Sequence, residues 1–108
     1  MVDGQGNMMM VFNRTSETEF PAARFTGRLS TDLPGTLHSS VPLKESATSC
    51  HSSWGSYNGA AVDTNDTKIW IIGQYAVTEA ECATWIGETS YIAGNAESSN
   101  GLNKPVFA

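Results

Sequence analysis

Apolar side chains fall at every second position over much of this chain, in short runs separated by polar turns. Ala23, Phe25, Gly27 and Leu29 alternate with Arg24, Thr26 and Arg28, the period-two signature of a half-buried strand. Met8-Met9-Met10-Val11-Phe12 is instead continuously apolar, which predicts a strand buried on both faces. Before it, Asp3-Gly4-Gln5-Gly6-Asn7 reads as a tight turn, because Gly and Asn tolerate positive φ. Residues 13–19 are polar and read as a loop, and Pro21 biases Phe20 toward the extended conformation that opens the next strand. A turn around Pro34 leads to a weak edge strand over residues 36–43, broken at Pro42.

A polar connector over residues 44–53, holding Cys50 and His51, precedes a second block. There residues 56–62 are predicted to pair with 68–75 across Asp63-Thr64-Asn65-Asp66-Thr67, a link rich in side chains that bond their own backbone. A third strand is expected over 83–92, with Trp85, Gly87, Thr89 and Tyr91 turned inward and Thr84, Ile86, Glu88, Ser90 and Ile92 outward. Thr78 with Glu81 three residues on is a capping-box pattern, so a short helix over 78–86 is the alternative. Residues 94–108 are polar and glycine-bearing and read as a mobile tail. The fold class predicted is all-β and antiparallel, in two blocks over about 1–45 and 46–93. The first strand starts so close to Met1 that the chain is read as beginning inside a larger protein.

Composition fits short strands. Hydrophobic residues make up 40% of the 108 and charged ones only 16%. The net charge of −5, with six scattered basic residues, excludes the clustered Lys and Arg that nucleic acid or an anionic membrane requires. No apolar run approaches the ~20 residues of a membrane span, and no segment reads as an export signal.

A family resemblance follows from two stretches. Ser53-Trp54-Gly55-Ser56-Tyr57-Asn58-Gly59-Ala60-Ala61-Val62-Asp63, followed by Lys68-Ile69-Trp70-Ile71-Ile72-Gly73-Gln74-Tyr75, resembles a repeat of bacterial secreted β-propeller proteins of the sialidase-like, BNR type. In that repeat a Trp-Gly-Asp-Tyr-Ser segment leads through a Val-Asp-Pro turn into a Trp strand ending near a Glu-Tyr pair. Residues 13–28 look like the segment that precedes it, a Ser-rich loop with an aromatic-Pro pair leading into an Arg-aromatic-x-Gly-Arg strand. The resemblance implies two blades of an incomplete propeller, whose ~40 to 50 residue spacing the two blocks match. It implies an extracellular or periplasmic parent protein, with the remaining blades or another copy of the chain as partner, the alternative being two sheets packed on each other as a small sandwich. Ser56 stands for the family's Asp, Thr64 for its Pro and Gly73-Gln74 for its Asn-Glu, departures that put acidic ligand groups at those positions in doubt.

Candidate chemistry is sparse. Cys50 and Cys82 are read as a disulfide, as suits an oxidising compartment, with two unpaired thiols as the alternative. His51 beside Cys50, with His38, lacks any metal-ligand spacing, so neither metal nor cofactor is assigned. Asp3, Asn7, Asp63, Asn65 and Asp66 lack the spacing of a calcium loop and read as turn caps. Glu17, Glu19, Asp32 and Asp63 are the carboxylates a glycan hydrolase would pair. Arg24 and Arg28 share a strand face and are the candidate clamp for an anionic sugar, against the plainer reading of two solvated arginines. Trp54 and Tyr57, with Trp70, Tyr75, Trp85 and Tyr91, offer a stacking platform, against the plainer reading of core aromatics. Asn13-Arg14-Thr15 and Asn65-Asp66-Thr67 match the glycosylation sequon. These features favour a non-catalytic structural or binding segment over part of a sialidase-like hydrolase, or over a non-functional fragment.

Overall fold

The computed structural model describes residues 1–51, 53–65 and 68–89, which form two three-stranded antiparallel sheets and, among those residues, no helix. Sheet one holds β1 (Met8–Ser16), β2 (Glu19–Arg28) and β3 (Val41–Glu45) in that order. Sheet two holds β4 (Gly59–Val62), β5 (Ile69–Ala76) and β6 (Cys82–Thr89), again in chain order. Each sheet is a meander, built entirely from neighbouring hairpins.

The alternation read in β2 is what the fold uses. Ala23 and Phe25 are fully buried, and with Met9, Leu43, Ile69 and Ile71 they form one apolar layer between the sheets, flanked by Val11, Ala60 and Val62. Full burial of the larger of these side chains, Met9, Phe25, Leu43, Ile69 and Ile71, contributes roughly 1.5 to 3 kcal/mol each. The sheets approach most closely at Gly73, where an added Cβ would lie 2.7 Å from the Ala23 Cβ. Strand directions follow from the cross-sheet contacts. Asn13 Nδ2 donates to the Gln74 carbonyl at 3.0 Å, the Ala76 N–H donates to Ser46 Oγ at 2.8 Å, and Met9 and Phe25 lie with Ile69 and Ile71. Therefore β1 runs in the same sense as β5, and β2 and β4 run against it.

Several expectations are corrected. Met9 is buried but Met10 is 43% exposed, so β1 has one covered face, because only one sheet packs on it. Residues 13–16, read as loop, continue β1: Arg14 lies opposite Ala22 and Ser16 opposite Glu19, with a bulge between. Arg14, Thr15 and Ser16 belong to a hairpin end that is exposed to water, whereas half-buried Asn13 turns its amide to sheet two. The edge strand runs over Val41–Glu45 rather than 36–43, and Pro42 does not end it. Instead the register shifts so that Pro42 faces Arg24 and Lys44 faces Ala23, which leaves Leu43 as the bulged residue, turned into the core. In sheet two the strand expected from residue 56 begins at Gly59. The helical alternative over 78–86 is overturned: the Thr78 hydroxyl accepts from the Ala80 N–H at 3.2 Å and caps a turn, after which β6 starts at Cys82.

Tryptophans do not fill the core. Trp70 is 39% exposed on the outward face, and Trp85 is 43% exposed although it shares the inward face with buried Gly87 and Thr89. Trp85 sits beyond the apolar layer, edge-on to Tyr75 at 6.2 Å, with Lys44 Nζ 4.4 Å from its ring centre. Close approach at Ala23 and Gly73 leaves no room there for large rings. Tyr91, residues 90–92 of the third strand and the 94–108 tail lie outside the described residues.

The disulfide is formed: Cys50 and Cys82 join the connector after β3 to the first residue of β6, with Cα atoms 6.4 Å apart. Beside it the His51 N–H donates to the Glu79 carbonyl at 2.8 Å. The predicted turn at Asp3 is also present, with Asp3 Oδ1 accepting the Gln5 and Asn7 N–H groups at 2.9 Å each and Gly6 at φ 84°.

Candidate functional site

The hairpin end of sheet one carries a cleft of about 210 Å³ lined by Arg14, Glu19, Phe20, Ala22, Arg24, Glu45 and Ser46. Strand register assembles it. Arg14 on β1, Ala22 on β2 and Glu45 on β3 lie in one row across the sheet, and Arg24 and Phe20 fall on the same face one step to either side. Arg14 Nη2 meets Glu19 Oε1 at 2.7 Å, an exposed ion pair at the rim. Phe20 is 55% exposed, so the cleft combines two guanidinium groups, two carboxylates and an open aromatic ring. Such a lining suits a small polar ligand that bonds both signs of charge and rests a flat face on a ring.

The two candidate arginines are separated. Arg24 reaches into the cleft wall, but its Nε donates to Ser40 Oγ at 3.0 Å and its Nη2 to the Ser40 carbonyl at 2.8 Å, so its fork is turned to the connector between β2 and β3. Arg28, at the other end of β2, donates through Nη2 to the Asp32 carbonyl at 2.7 Å, while its Nε is buried and unbonded among the described residues. They do not form a clamp, nor are they the solvated pair of the plainer reading; both fasten a loop.

Asp32 organises that loop. Its Oδ2 accepts the Leu29 N–H at 2.8 Å and lies 2.6 Å from His38 Nε2. Burial would raise its pKa, but the Leu29 hydrogen bond, the His38 bond and the charges of His38 and Arg28 together hold it below the ordinary carboxylate value. The Thr26 hydroxyl donates to the His38 carbonyl, and the His38 N–H donates to Gly27 O at 3.1 Å. Elsewhere, Lys68 has its pKa raised by the Glu88 carboxylate it meets at 2.8 Å.

The other candidates disperse. Glu17 and Glu19 sit at the β1–β2 turn, Asp32 at the far end of β2, and Asp63 in the β4–β5 turn, so the four carboxylates do not converge. Trp54 is half-buried and Tyr57 82% exposed, both in the segment before β4 and neither on a strand. His51, His38 and Cys50 are far from a ligand set, and among the described residues no three of His, Cys, Asp and Glu converge on a metal position. Asp63 Oδ1 accepts the Lys68 N–H at 3.3 Å, a turn cap as read. In the first sequon Asn13 is held at both amide atoms, donating to Gln74 O and accepting from Asn58 Nδ2 at 2.7 Å. Asp66 and Thr67 of the second lie outside the described residues. Sequence reasoning missed Arg14, Phe20, Glu45 and Ser46 as cleft residues; reading 13–16 as strand would have set Arg14 in the row of Ala22.

Fold and site together define an all-β protein of two stacked three-stranded sheets bridged by one disulfide. Comparison with family models, with curated proteins and with solved structures finds no match.

Proposed function

We propose that this chain is a non-catalytic structural or binding segment of an extracytoplasmic protein, its two sheets being neighbouring blades of a propeller-type array. The observation that carries the reading is the face-to-face stacking of two meanders through one apolar layer. The disulfide is in keeping with an oxidising compartment. In a propeller the repeat is a rotation, so matching strands keep their sense. Since β1 runs with β5 and against β4, the consistent assignment gives β1 to β3 the second, third and fourth positions of one blade, and β4 to β6 the first three of the next.

The sialidase-like alternative needs arginines free to grip a sugar carboxylate and carboxylates paired across a bond. Here Arg24 and Arg28 hold the chain's own loop and the carboxylates lie apart. A fluorogenic sialoside assay decides between the two. No turnover is expected from the folded, oxidised protein, and turnover that Arg24→Ala abolishes would overturn the non-catalytic reading.

A further inference from the structure

Ala22 is the floor of the cleft at the hairpin end of sheet one. It is 8% exposed although it lies on the outward side of β2, away from the core. Larger neighbours wall it in: Arg14 and Glu45 stand to either side in its own row, with Phe20 two residues before it and Arg24 two after. A small residue ringed by four long ones leaves a depression of about 210 Å³, room for one ring-sized ligand.

The bonding capacity left over in the lining selects that ligand. Arg14, Arg24, Glu19 and Glu45 sum to no net charge, so an ion of either sign meets a like charge as well as an opposite one. Neither guanidinium offers a free fork to a carboxylate, because Arg14 is spent on Glu19 and Arg24 donates through Nε and Nη2 to Ser40. Glu45 makes no hydrogen bond or ion pair among the described residues. What remains is a set of single N–H donors on the arginines facing an open carboxylate acceptor. Hydroxyl groups use both, accepting from the one and donating to the other. Phe20, 55% exposed, adds a flat apolar wall. A sugar ring joins the two requirements, with hydroxyls around its rim and an apolar C–H face. We infer that the cleft binds one neutral pyranose unit, its C–H face on Phe20 and its hydroxyls between the arginine donors and Glu45. Binding is all the site does, since Glu19 is neutralised by Arg14 and a glycosidic bond is hydrolysed by two carboxylates acting together. The inference rests on the binding reading above and names its ligand class.

The test follows backbone amide resonances of the folded, oxidised, isotope-labelled protein. The neutral probes are the methyl pyranosides of glucose, galactose and mannose; the charged ones are arginine and N-acetylneuraminate. At least one pyranoside is expected to shift the amides of Phe20, Ala22, Arg24 and Glu45 saturably, with Kd on the order of 1 to 10 mM, while those of β6 stay in place. Phe20→Ala and Glu45→Gln should each weaken that response about tenfold or more, and Phe20→Leu replaces Phe20→Ala should circular dichroism show it unfolded. Absence of any saturable pyranoside response overturns the inference. So does a response that survives both substitutions, or a tighter one to arginine or N-acetylneuraminate, which would make the cleft a site for ions. Failure of the non-catalytic reading shows separately, as sialoside turnover, whatever the pyranosides do.

Discussion

Ala23 and Gly73 set how near the two sheets come. A methyl group at position 73 would stand 2.7 Å from the Ala23 Cβ, well inside contact distance, and both neighbours are backbone-fixed, so no side-chain rotation relieves the overlap. Gly73→Ala is therefore expected to destabilise the fold by about 1 to 3 kcal/mol, the usual cost of overpacking. Urea unfolding measures it. Ala23→Gly placed in the same chain should recover part of the loss, because it removes the other methyl; a double variant no more stable than Gly73→Ala alone would show that the overlap is not the cause.

Among the elements, the connector between β2 and β3 is held by bonds from Arg24, Thr26, Arg28, Asp32 and His38 rather than by apolar burial. Asp32 ties stability to pH. Its folded-state pKa is lowered, so its contribution is present in full above the unfolded carboxylate value of about 3.9 and is lost as pH falls through the folded value. Thermal melts from neutral pH to below 3 should show the wild type losing stability more steeply below about pH 4 than Asp32→Asn does. Equal slopes would remove Asp32 from the account. The alternation in β2 was legible, because Ala23 and Phe25 against Arg24 leave period two in the sequence, and β5 was legible as an apolar run after a polar turn. What escaped has a physical cause in each case. Arg14 and Ser16 sit on a hairpin exposed on both sides, so their polarity copies a loop. Pro42 is tolerated because β3 is an edge, and Leu43 reaches the core through a register shift that no periodicity encodes. The cleft was illegible for the same reason, since it is made by cross-strand register joining Arg14, Ala22 and Glu45.

At the scale of the whole molecule, Cys50 and Cys82 close a covalent loop across a sequence separation of 32, enclosing β4 and β5 and fastening the start of β6 to the connector from sheet one. The chain-entropy relation gives such a loop about 3 to 4 kcal/mol. The Cys50→Ser, Cys82→Ser double variant is expected to lose that amount in urea unfolding, a large share of what a domain this small holds in reserve. An unchanged midpoint would mean that the stack stands without its staple.

Contact at positions 23 and 73 also sets a rule for recognising kin. Any sequence that keeps this stack must keep those two sites jointly small, so a gain of volume at one is admissible only with a loss at the other. That paired economy of size is a fingerprint that divergent relatives can retain after every surface residue has changed.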